Sequence, residues 1–138
     1  MAINKQHFWI DREHDRITTE ISCQVCPAGG NRNTAIIINL SAGGLKFTCN
    51  RAVFNQLLPE DQRIPGQVSG VEIEIQFQLR VAGRKKPLTV RAQARLIYTE
   101  RLAQDSFTLG AQFIALRETE IRGIENYMQQ INAQSTRL

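Results

Sequence analysis

The chain has 138 residues, enough for one domain with a single hydrophobic core. Hydrophobic residues make up 42% and charged ones 22%, the balance of a soluble globular protein, with no apolar run long enough to span a bilayer and no signal-peptide core at the N-terminus. The net charge of +4 suits a small dianionic ligand and is too mild to demand DNA, while three cysteines, an odd number, point to reduced thiols in a cytoplasm.

In chain order, residues 1–10 are expected to form an N-terminal arm and residues 11–138 the domain. The arm carries His7, Phe8 and Trp9, whose rings are expected to pack on the domain, the alternative being a stack on a bound base. Asp11-Arg12-Glu13-His14-Asp15-Arg16 follows, placing two arginines four positions apart just before a strand. Ile17 to Cys26 alternates, with Ile17, Ile21, Cys23 and Val25 on one face, and Pro27 to Asn31 ends it in a turn. Cys23 and Cys26 form a C-x-x-C, but residues three apart on a strand face opposite ways, so no metal or redox pair is expected.

Thr34 to Ile38 and Leu45 to Cys49 read as the next two strands, joined through Asn39-Leu40-Ser41-Ala42-Gly43-Gly44. Asn39 and Ser41 can bond the local backbone, and Gly43 or Gly44 can supply positive φ, so the stretch makes a good turn with or without a ligand. Arg51 to Leu58 has helical spacing, capped by Asn50 and limited by Pro59, and with the loop to Gln67 is expected to cross one end of the sheet. Val71 to Val81 alternates cleanly, and Gly83 to Pro87 turns the chain, placing Arg84, Lys85 and Lys86 at a hairpin tip. Leu88 to Leu96 buries Leu88, Val90, Ala92, Ala94 and Leu96 and continues through Ile97 and Tyr98 by way of a bulge. Ser106 to Ile114 is the sixth strand. Arg117 to Asn132 closes the chain as a helix, whose Ile121, Ile124, Met128 and Ile131 form a stripe that must cover the sheet or a second copy.

The arginine pair and the polar turn complete each other. Arginine can grip a guanine edge or phosphate oxygens with two donors, and a glycine-containing turn lets backbone N–H groups approach a ligand. The spelling R-x-x-x-R, here Arg12 and Arg16, then [D/N]-x-S-x-x-G, here Asn39, Ser41 and Gly44, resembles the PilZ family of cyclic di-GMP receptors. Gly110-Ala111-Gln112-Phe113 is similar to the G-x-x-F near the end of PilZ barrels. The resemblance implies a mainly β fold: a six-stranded antiparallel PilZ-like barrel with a C-terminal α-helix and a short helical insert. It implies cyclic di-GMP as the ligand, held by Arg12, Arg16, Asn39, Ser41, Gly43 and Gly44, with no metal and no further cofactor. Many relatives carry another arginine before R-x-x-x-R, where this chain has Asp11, which argues against an intercalated pair of ligands.

The expected function is a receptor or adaptor that senses the second messenger and signals to a separate, downstream protein. Two alternatives remain at this point, a nucleic-acid-binding barrel and a PilZ-type interaction domain that does not bind ligand. The sequence shows no Ser/His/Asp, paired-carboxylate or metal set, and His7 and His14 have no evident partners, so an enzyme is not expected.

Overall fold

A computed structural model describes residues 17–60 and 70–136. In chain order the elements are β1 (Ile17–Pro27), β2 (Asn33–Ser41), β3 (Gly44–Cys49), α1 (Arg51–Leu57), β4 (Glu72–Leu79), β5 (Leu88–Ala103), β6 (Ser106–Ala115) and α2 (Glu118–Thr136). The six strands close into a barrel in the order β1-β2-β3-β6-β5-β4, every pairing antiparallel. This is the mainly β, six-stranded antiparallel fold with a C-terminal helix and a short helical insert that the sequence pattern predicts.

Period-two alternation decides which side chains fill the barrel. Along β4 every second residue is buried, Ile73, Ile75, Phe77 and Leu79, and along β5 Leu88, Val90, Ala92, Ala94 and Leu96 face the same interior. Ile37, Leu40, Leu45, Phe47 and Leu109 complete the core from the other strands. Cys23 and Cys49 lie inside it, and burial pushes both thiols up to about 12, which keeps them protonated; in Cys23 a backbone hydrogen bond from Ala35 works against burial, and the neighbouring Cys49 adds to it. Cys26 turns away from them and donates to the carbonyl of Gly30 at 3.1 Å.

The two helices stopper opposite ends. α1 follows β3, and Asn50 caps it by accepting the Val53 N–H at 2.9 Å, while Val53, Phe54 and Leu57 are buried against the barrel. α2 leaves β6 at the other end and touches β1, β2, β4 and β5. It extends to Thr136, four residues past the end read from the sequence. Its stripe is uneven: Ile124 is fully buried, Tyr127, Met128 and Ile131 are half-buried against the core, and Ile121 is half-exposed. Gly123 lets the helix come close, since a Cβ there would meet the Leu88 side chain at 2.0 Å.

Glu120 fixes where α2 begins. Its carboxylate accepts the Arg117 N–H at 2.9 Å, a reciprocal cap on the first turn, and the Arg91 N–H of β5 at 3.0 Å. Burial alone would raise its pKa. Hydrogen bonds from the Arg117 side chain and from the Arg91 and Arg117 N–H groups, with the Arg117 charge, outweigh burial and hold it below the ordinary carboxylate value.

Candidate functional site

The motif turn lies at the barrel end that α2 covers. Asn39 and Ser41 are the closing residues of β2, Gly44 opens β3, and Ala42 and Gly43 alone make the turn. Neither Gly43 nor Gly44 has positive φ, contrary to the expectation for this turn. Ser41 supplies the geometry instead: its hydroxyl accepts the Gly43 N–H and donates to the Gly44 carbonyl, both at 3.3 Å. Ser41 as a whole is 3% exposed. Phe113, the last residue of the G-x-x-F stretch, donates its N–H to the Gly43 carbonyl at 2.9 Å and ties β6 to the turn.

The chain enters β1 beside this turn. Ile17 pairs with Leu40 and Thr18 with Asn39, so the residues that follow Arg16 run against the motif strand. Arg12 and Arg16 themselves lie outside the described residues, as does the arm with Phe8 and Trp9.

Cross-strand register extends the motif into a row on the outer face. Asn39 pairs with Thr18 on one side and Lys46 on the other; Lys46 pairs with Gly110, and Gly110 with Tyr98. Opposed residues share a face, so Thr18, Asn39, Lys46 and Tyr98 point the same way across five strands, with Gly110 leaving a gap. The Lys46 ammonium sits 5.1 Å from the centre of the Tyr98 ring. Tyr98 donates to Glu100 at 2.5 Å, and that bond, with burial and the carboxylate's charge, raises the phenol's pKa and keeps it protonated. Asn39 is half-buried, and among the described residues its side-chain amide makes no hydrogen bond.

Of the six ligand residues read from the sequence, four (Asn39, Ser41, Gly43 and Gly44) therefore stand together in one hairpin. Lys46 and Tyr98 escaped sequence reading, because their place depends on the register shifts between Ile37 and Asn39 and between Leu96 and Tyr98. The bulge expected after Leu96 was the available signal for Tyr98. Arg84, Lys85 and Lys86 are exposed in the β4–β5 turn at the same barrel end, but β1 stands between β4 and β2. That turn is held by α2 instead, through Gln130, which accepts the Ala82 N–H at 2.7 Å and donates to the Arg80 carbonyl at 3.2 Å.

No group of three or more metal-ligating side chains occurs among the described residues, and no described helix is long and apolar enough to cross a membrane.

Comparison with known proteins agrees with this geometry. A search of curated proteins returns no match. Among solved structures, the chain resembles the Bacillus subtilis inhibitor of motility MotI/DgrA, with TM-score 0.63 and 12% identity over 86% of this chain and 50% of that one. It also resembles Borreliella burgdorferi PlzA in complex with c-di-GMP, with TM-score 0.58 and 10% identity over 99% of this chain and 57% of that one. The PilZ domain of Escherichia coli YcgR with c-di-GMP gives TM-score 0.55 and 15% identity over 87% of this chain and 90% of that one. The chain thus spans about half the length of the first two, and at such identities these likenesses carry the fold. The family model for the PilZ domain matches residues 10–130, nearly the whole chain, so the chain belongs to the PilZ domain family.

Proposed function

We propose that the chain is a cyclic di-GMP receptor that passes its signal to a separate protein, with Arg12, Arg16, Asn39, Ser41, Gly43 and Gly44 forming the binding site. The observation that carries this reading is the unengaged Asn39 amide, in register with Lys46 and Tyr98 beside the strand that Arg16 leads into. An amide offers both donors and an acceptor, as a guanine edge does, and a fixed phenol ring offers a flat surface for a base. Arg12 and Arg16 supply the charge for the phosphates and the forked donors for guanine. Within this reading Ser41 acts mainly by shaping the turn, because its hydroxyl already bonds both glycines. A receptor rather than an enzyme fits family membership, and the PlzA and YcgR structures contain c-di-GMP.

Titration calorimetry with cyclic di-GMP and, separately, with a single-stranded oligonucleotide tests the reading. Saturable binding of the dinucleotide alone, lost or weakened at least fivefold in Asn39→Ala, is the expected result. Preferential binding of the oligonucleotide would favour a nucleic-acid-binding barrel, and binding of neither would leave an interaction domain.

A further inference from the structure

The barrel end opposite the motif turn carries a second cluster of charge, built on the tip of the β5–β6 hairpin and the start of α1. Phe54 of α1 stacks on Phe107 of β6 with ring centroids 4.1 Å apart and planes within 6°. Two guanidinium groups, those of Arg51 and Arg101, each stand 5.9 Å from the centre of the same Phe107 ring. They also converge on one backbone oxygen: the Gln104 carbonyl accepts from Arg51 Nη2 at 2.9 Å and Nε at 3.3 Å, and from Arg101 Nη2 at 3.5 Å. Arg101 Nε donates to the Ala103 carbonyl at 3.1 Å.

Two like charges are thus fixed side by side, and neither is ion-paired with a carboxylate among the described residues. The acids of the hairpin are engaged in other bonds. Asp105 accepts the backbone N–H of Arg51 at 2.8 Å, and Glu100 holds Tyr98. Elsewhere on the barrel Arg95, Arg117 and Arg122 each meet a glutamate. Each of the two hairpin guanidinium groups keeps unused N–H donors, since their bonds to carbonyls engage only Nε and Nη2. Between Arg101 and Ala103 stands Leu102, 55% exposed and the most exposed large hydrophobic side chain of the described barrel.

We propose that this tip is a docking surface for an acidic segment of a partner protein. A carboxylate of the partner bridges Arg51 and Arg101, relieving their mutual repulsion with charge-assisted hydrogen bonds, and an apolar side chain next to it packs on Leu102. The rings and carbonyls hold the guanidinium groups in place beforehand, so little side-chain freedom is lost on binding. The partner is acidic because the surface offers two guanidinium groups ion-paired with no carboxylate among the described residues, and proteinaceous because Leu102 adds an apolar contact that a free anion does not need. The surface stands apart from the motif turn and does not depend on the receptor reading.

The test uses the full chain and a ten-residue peptide carrying three Glu and one Leu, with a Gln-for-Glu counterpart and inorganic phosphate as comparisons. Nuclear magnetic resonance follows the arginine Nε–Hε signals and the Leu102 methyls. The acidic peptide is expected to shift Arg51, Arg101 and Leu102 together, and Arg101→Gln and Leu102→Ser are each expected to raise its Kd at least threefold in folded protein. Equal binding of the Gln peptide, absence of shifts at both arginines, or the same shifts and affinity with phosphate alone would each overturn the proposal.

Discussion

Asn39 and Ser41 stand two positions apart on β2, yet their side chains serve different ends. Ser41 is buried and bonded at both of its polar functions, whereas Asn39 is half-buried with an unengaged amide. Ser41→Ala leaves the Gly43 N–H and the Gly44 carbonyl without this partner in a partly buried turn, so it is expected to destabilise the fold by roughly 1–3 kcal/mol. Asn39→Ala removes no side-chain hydrogen bond among the described residues and is expected to change stability by less than about 0.5 kcal/mol. Urea unfolding of the two variants checks the contrast; equal losses would mean that Asn39 also supports the turn. The motif spelling made both residues legible as a pair. Their division of labour was not legible, because N-x-S-x-x-G reads alike whether the serine faces a ligand or its own backbone. The absence of positive φ at Gly43 and Gly44 has the same origin: the sequence offered glycine, and the Ser41 hydroxyl shaped the turn in another way.

At the scale of elements, strands and helices followed the pattern of apolar residues closely, because a barrel one layer thick sorts every side chain inward or outward. α2 departs from a plain amphipathic stripe, since its anchor is a polar residue. Glu120 lies one turn before Ile124 on the same inward face, and its buried carboxylate is satisfied there by the Arg91 N–H beyond the end of the β5–β6 ladder and by Arg117. Glu120→Gln is expected to cost about 1–3 kcal/mol at neutral pH, because the charge-assisted bonds to Arg117 and Arg91 weaken. The pH dependence follows from the sign of the shift. A carboxylate held below its unfolded pKa stabilises the fold fully above the ordinary value near 4.3 and loses that contribution as pH falls through the folded value. The unmodified protein should therefore lose stability on acidification more steeply than Glu120→Gln, with the two curves converging at low pH; parallel melting curves from pH 7 to pH 3 would contradict the assignment. Ile124→Asp, which puts a charge into a fully buried site, is expected to unfold α2 from the barrel or the whole domain, read as loss of the cooperative thermal transition.

Across the whole molecule the barrel separates two ends with different chemistry. One end holds the motif turn, the row of Asn39, Lys46 and Tyr98, and the covering helix α2; the other holds α1 and the fixed arginines of the β5–β6 hairpin. A ligand bound at the first end and a protein docked at the second would compete for no surface, an arrangement suited to an adaptor. The claim on which this rests is that Arg12 and Arg16 recognise cyclic di-GMP by shape, with planar forks on guanine edges or phosphate oxygens. Lysine keeps the charge and loses the fork, so Arg12→Lys and Arg16→Lys are each expected to weaken binding by roughly 1–3 kcal/mol. Isothermal titration of the unmodified protein and both lysine variants, with thermal melts to confirm folding, measures this directly: tight binding reduced in each variant at unchanged melting temperature is the predicted result, and no binding by folded, nucleotide-free unmodified protein, or undiminished binding by both variants, would contradict it.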